Sequence, residues 1–176
     1  MMSVLIVHES MFGNTQRVAA AIAEGVREGR APEDPEGVRL VSVDAAPTTL
    51  GDDVTLLIVG GPTHAFGMSR PNTRADAISQ GAPLGTTTGI REWIQAVGVR
   101  PGLSVITFDT RVHVHMLPGS AAKMSAKALR DRGFDSTERG ETFWVEGTKG
   151  PLEQGELERA RAWGNTLAHL PAATAL

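Results

Sequence analysis

The hydrophobic residues of this chain fall into two alternating patterns. Short continuous apolar runs at residues 4–7 (VLIV), 54–59 (VTLLIV) and 103–109 (LSVITFD) are those of strands buried on both faces of a parallel sheet. Residues 38–44 and 142–145 predict two further strands. Between these runs the apolar positions recur at helical spacing. Val18, Ile22 and Val26 stand four apart with Ala19 and Ala23 beside them, while Arg17, Glu24, Arg27 and Glu28 turn outward, which makes one apolar helical face. Helices are also expected over residues 90–97, with Trp93, Ile94 and Val97 inward, and over 120–132, closed by Gly133 with Met124 and Ala128 inward. A last one starts near Glu153 and buries Leu157, Ala160, Gly164 and Leu167.

The connections complete the pattern. Gly29 reads as the residue that ends the first helix, and residues 31–37 as an exposed turn. Residues 45–53 hold a proline, two threonines and Gly51, too broken for a full helix, so the second crossover is reduced. Residues 63–89, rich in Gly, Ser, Thr, Asn and Pro, show no helical pattern; a loop that long is a binding segment, a lid or disordered. The tail at 171–176 is expected to fray. Five strands alternating mostly with helices predict an α/β domain spanning residues 1–176, with a doubly wound five-stranded parallel sheet. If its order is 2-1-3-4-5, the topological switch point nominates the loops at 10–15, 61–68 and 109–116 as the ligand site.

Composition narrows the chemistry. With 17 basic and 20 acidic residues the net charge is −3, which argues neither for nucleic acid nor for an anionic membrane surface. The chain has no cysteine, so disulfides and thiolate chemistry are excluded and any redox role needs a cofactor. No apolar run approaches the roughly 18 residues of a membrane span, and the amino terminus lacks the features of a signal peptide; a cytoplasmic protein is expected.

The loop Ser10-Met11-Phe12-Gly13-Asn14-Thr15 stands between a strand's carboxyl end and a helix's amino end. Helix-start N–H groups without intrahelical partners and the helix dipole attract an anion there. Ser10 and Thr15 add hydroxyls, and Gly13 has no side chain to keep an oxyanion from the backbone. The same residue types also occur in such turns merely as helix caps. No lysine follows the glycine, as a nucleoside triphosphate loop requires, and the further glycines of a dinucleotide fingerprint are missing. Gly67-Met68-Ser69-Arg70-Pro71 lacks the closing glycine of a hydrolase elbow. His113 and His115 would need a third protein ligand to hold zinc, and are read instead as facing the ligand or as part of a solvated turn.

This first loop resembles the flavodoxin phosphate-loop signature, with Ile6, Val7, Ser10, Gly13, Thr15, Ala19 and Ile22 in place and His8 where that family usually has an aromatic. Residues 61–68 resemble the loop beside the isoalloxazine ring in flavodoxin-like quinone reductases of the tryptophan-repressor-binding-protein type, with the spacing differing by one residue. The resemblance implies a flavodoxin-like fold holding FMN noncovalently. Ser10, Met11, Phe12, Gly13, Asn14 and Thr15 would cradle the phosphate. Pro62, Thr63, His64, Phe66 and Gly67 would line one side of the ring, and Asp109, Thr110 and Arg111 the other. The chain has no tyrosine, and Trp93, Trp144 and Trp163 lie in elements outside the three loops, so any stacking falls to His64, Phe66 or a loop histidine. The implied function is an oxidoreductase that passes electrons from a nicotinamide or another reductant to a quinone or similar small acceptor. The alternative is an electron carrier that docks to partner redox proteins; a homo-oligomer is open in either case. Arg70, Arg74 and Arg91, in or near the long loop, are placed to close over a substrate, which favours the enzyme.

Overall fold

The computed structural model describes residues 3–30, 37–83, 87–114, 116 and 118–170; the expected turn at 31–36, His115 and the tail at 171–176 lie outside them. Along the chain run β1 (Ser3–His8), α1 (Asn14–Gly29), β2 (Val38–Ser42), a 3-10 turn (Val43–Ala45), β3 (Val54–Pro62), α2 (Pro71–Ser79) and α3 (Ile90–Ala96). They are followed by β4 (Ser104–Val112), α4 (Ala121–Arg132), β5 (Thr137–Val145) and α5 (Glu156–Leu167). The strands form one parallel sheet in the order β2-β1-β3-β4-β5, as expected, and the reduced second crossover is the 3-10 turn.

The continuous apolar runs follow from a sheet covered on both faces. Because side chains alternate along a strand, Val4 and Ile6 join a core with Val18 and Ile22 of α1, Ala160 and Leu167 of α5, and Phe108 and Phe143. Leu5 and Val7 join the opposite core with Trp93 and Ile94 of α3, Leu129 of α4, and Phe134. Helices α1 and α5 touch backbone to backbone: a Cβ on Gly25 would lie 1.9 Å from the Arg161 carbonyl oxygen, and one on Gly164 2.2 Å from that of Ile22.

Five expectations are corrected. Residues 63–89 contain α2, which has little apolar periodicity of its own and is held by polar contacts. It opens on Pro71 at its first turn, and the Arg70 N–H donates to Thr73 Oγ1 at 2.9 Å. β4 runs on to Val112 and β5 starts at Thr137, because β5 is an edge strand whose polar residues face outward. Met124 is exposed, and α4 turns Ala122, Ser125, Ala126 and Leu129 inward instead. The last helix starts at Glu156, after Gly155 at φ 85°.

Candidate functional site

The carboxyl ends of β1, β3, β4 and β5 open into a cavity of about 350 Å³, within the range of small-molecule sites. Its β1 wall is Ser10, Met11, Phe12, Asn14 and Thr15; its β3 wall is Pro62, Thr63, His64 and Ala65; Thr110, Arg111 and Val112 of β4 and Val145 and Thr148 face them. α2 closes the remaining side with Thr73, Asp76, Ala77 and Gln80. Of the residues nominated from sequence, Gly13, Phe66, Gly67 and Asp109 do not line the cavity.

Each of these four has a structural task. Gly13 sits at φ 94° as the residue before α1, in the left-handed region that a residue with a Cβ enters only at a cost. Asp109 is fully buried, and its carboxylate accepts from Thr63 Oγ1 (3.0 Å), Ser120 Oγ (2.6 Å), the Ala122 N–H (3.0 Å) and Thr142 Oγ1 (2.6 Å). It ties the β3 loop, α4 and β5 to β4. His64 and Gly67 exchange backbone hydrogen bonds of 2.8 and 3.0 Å around Ala65 and Phe66, both at positive φ. That tight turn throws the Phe66 ring outward, where it is 55% exposed.

At the β1 wall the hydrogen-bond accounting leaves donors over. Ser10 Oγ accepts from the N–H groups of Gly13 and Gln16, both at 3.2 Å. A hydroxyl has two acceptor sites and one proton, and the Ser10 proton meets no acceptor among the described residues. Thr15 Oγ1 and Thr110 Oγ1 lie 2.7 Å apart, and one of that pair likewise keeps its proton. The backbone N–H groups of Asn14 and Thr15, in the first turn of α1, meet no acceptor among the described residues. Donors that converge on the amino end of a helix form an anion site.

The α2 wall is anchored from behind. Buried Arg74 donates to Ser69 Oγ at 2.8 Å and to Glu92 Oε1 at 3.0 Å. Ser69 in turn donates to buried Glu9, whose other oxygen accepts the Ile90 N–H at 2.8 Å. Burial pushes the Glu9 carboxyl up, against the Ser69 and Ile90 hydrogen bonds and the Arg74 charge. Burial acts upward on Glu92 as well, but the hydrogen bond from Arg74 and those from backbone N–H groups hold it below the ordinary range. Arg91 donates to the carbonyls of Ser69 and Met68, both at 3.3 Å. Arg74 and Arg91 are therefore internal struts, which corrects the expectation that they close over a substrate.

On the β4 side Arg111 lies over the Trp144 ring at 5.4 Å and donates to the Gly119 carbonyl at 2.6 Å. His113 stacks on the same indole, its ring centroid 4.4 Å from that of Trp144. Trp144 lies in a strand outside the three loops, as the sequence placed it, and β5 brings it alongside Arg111 of β4 and His113 just beyond that strand. Among the described residues no cluster of three potential metal ligands forms. The cavity residues that sequence reasoning missed sit mainly on α2, and the signal was Ser69-Arg70-Pro71, a proline at a helix start followed two residues later by Thr73.

No protein-family model and no curated protein matches the chain. Solved structures do. A flavodoxin from the domain Archaea shares 17% identity at a TM-score of 0.61, over 95% of this chain and 96% of that one. Two-electron reduced Megasphaera elsdenii flavodoxin gives 17% and 0.58, over 93% and 98%. Oxidised flavodoxin 2 from Bacillus cereus gives 17% and 0.57, over 94% and 96%. The likeness extends over nearly the whole of each chain and, with the strand order and the cavity at the switch point, it establishes that this chain has the flavodoxin-like fold.

Proposed function

We propose that the chain binds FMN noncovalently and works as an oxidoreductase that transfers electrons to a quinone or similar small acceptor. The observation that carries this reading is the set of unspent donors at the amino end of α1: the Ser10 hydroxyl, one hydroxyl of the Thr15–Thr110 pair, and the N–H groups of Asn14 and Thr15. A phosphomonoester is acceptor-rich and doubly charged, which is the complement of such a donor set. Bound FMN would supply one- and two-electron chemistry. The chain's own residues hold and orient it. Pro62, Thr63, His64 and Ala65 form one wall for a planar ring and Thr110, Arg111 and Val112 the other, while α2 limits water from the open side. Arg111 places a cation at the wall, which favours negative charge on a ring beside it.

A second reading is supported by one observation. The exposed apolar residues Phe66 and Ile78 adjoin the cavity-lining Ala65 and Ala77 in sequence, and exposed Val114 and Met116 follow the cavity-lining Val112 by two and four residues; they suit an electron carrier that presents its cavity edge to a partner redox protein. One experiment tests both. FMN should bind at least about tenfold more tightly than riboflavin in a fluorescence titration, since a single charge-assisted hydrogen bond is worth roughly 1.5–3 kcal/mol. Equal affinities would refute the phosphate site. Rapid bleaching of the loaded protein by NADH or NADPH under anaerobic conditions selects the enzyme. Reduction only through a protein reductase selects the carrier.

A further inference from the structure

The hydroxyl of Thr73 decides the state of a cavity histidine. Thr73 Oγ1 donates its single proton to the Arg70 carbonyl oxygen at 3.1 Å, and accepts the Arg70 N–H at 2.9 Å. Its third contact is His64 Nδ1 at 3.2 Å. The Arg70 carbonyl also accepts the Arg74 N–H at 2.9 Å and cannot donate, and Thr73 Oγ1 has one proton and two acceptor sites for its three contacts. All three are hydrogen bonds at once only when the Thr73 proton goes to Arg70 and the proton between Thr73 and His64 is carried by Nδ1. In a neutral imidazole the other ring nitrogen is then a bare acceptor. Nε2 has no partner among the described residues, and the ring lines the cavity.

The surroundings keep the ring neutral. Burial, and after it the charge of Arg74, pushes the His64 imidazole below its ordinary value of 6.5. Asp76 also lines the cavity from α2 but is exposed. The backbone gives the ring little freedom, because the His64–Gly67 turn fixes its Cα and Gly119 packs against the Phe66 backbone, where a Cβ would come within 2.2 Å of the carbonyl oxygen.

We propose that Thr73 locks His64 in its Nδ1–H tautomer and that His64 Nε2 is a fixed hydrogen-bond acceptor of the cavity, which recognises an N–H or O–H of the bound molecule. The ligand half of this proposal rests on the FMN reading. Oxidised flavin offers two sources of such a donor, the imide N–H of the ring and the hydroxyls of the ribityl chain. Most of the donors lie at the phosphate end of the cavity, so an acceptor on the β3 wall gives the site a sense of orientation as well as affinity.

The test reads the histidine directly. Long-range proton–nitrogen spectra of histidine-labelled full-length protein distinguish a protonated ring nitrogen from a bare one. In the free protein at neutral pH His64 should show Nδ1 protonated and Nε2 bare. Thr73→Val should release it to a mixture of tautomers. On loading with FMN the Nε2 resonance should move as it accepts a hydrogen bond. His64→Leu should weaken FMN about two- to tenfold, the range for one net hydrogen bond, and His64→Gln, which offers a carbonyl oxygen, should recover part of that loss. Comparing FMN with its ring N-methyl imide derivative names the source: a loss of affinity with the derivative that His64→Leu abolishes assigns the imide, and equal affinities assign a ribityl hydroxyl. A free protein with Nε2 protonated overturns the proposal and leaves the FMN reading standing. So does an Nε2 resonance unmoved in FMN-loaded protein. Failure of FMN to bind at all overturns the FMN reading and the ligand half together, while the tautomer is still decided on the free protein.

Discussion

Arg74→Ala removes the strut behind the α2 wall, and its cost can be worked from the geometry. The guanidinium is 3% exposed and Glu92 35%. Removing one partner of a fully buried ion pair costs roughly 3–5 kcal/mol, because the other charge is left without compensation. Glu92 can be partly rehydrated, which lowers the figure to about 2–3 kcal/mol. For a chain of this size that corresponds to a fall in Tm of about 4–12 °C. The pH dependence identifies the cause. Glu92 is held below its ordinary value in the folded protein, so its contribution is present above about pH 4.5 and is lost as pH falls through the lowered value. Glu9 is already raised by burial, and without Arg74 it rises further; its folded state is then favoured below about pH 4.5 and penalised as pH climbs through the raised value. Both effects make the difference between wild type and variant largest near neutrality and smaller in acid. Thermal unfolding followed by circular dichroism at about pH 7 and about pH 4.5 measures it. FMN affinity should fall in parallel, since Thr73, Ala77 and Gln80 move with α2. A Tm shift that is the same at both pH values, or one below about 2 °C, would show that Arg74 does not hold this wall through its charge.

Gly164→Ala should destabilise the protein by about 2 kcal/mol in a urea titration. The new Cβ meets the Ile22 carbonyl oxygen at 2.2 Å, and the cost of separating α1 from α5 outweighs the roughly 1 kcal/mol gain in helix propensity; a raised urea midpoint would contradict the close crossing. Stability should also fall as pH drops below about 6.5, because buried His8, whose Nδ1 has no hydrogen-bond partner among the described residues, is pushed by burial below its ordinary value and the unfolded chain takes up the proton first. His8→Leu should flatten that fall between about pH 7.5 and about pH 5.5, and an unchanged slope would assign it to other groups.

The sheet was legible from sequence because burial on both faces leaves a local mark. Val4 to Val7 must all be apolar whichever way they point, and Val18, Ile22 and Val26 must share one side of α1. The loop at Ser10 to Thr15 was legible for the same kind of reason: a helix start with spare N–H groups is a local object. What the sequence could not display is stabilisation by partners far along the chain. α2 has no strong apolar stripe; it exists because Arg74 reaches Glu92 and Ser69, and Ser69 reaches Glu9, sixty residues earlier. Asp109, read as a wall of the ring site, became a buried anchor once Thr63, Ser120, Ala122 and Thr142 converged on it. The polar edge strand β5 hides its first residues from any hydrophobic pattern, and so hid that Trp144 would lie beside Arg111 and His113. Local periodicity determined most of the strands and helices, and the loop at residues 10–15 between β1 and α1. Only the tertiary structure, by bringing distant polar groups to within hydrogen-bond reach, decided which of the nominated residues face the cavity and which hold it in shape.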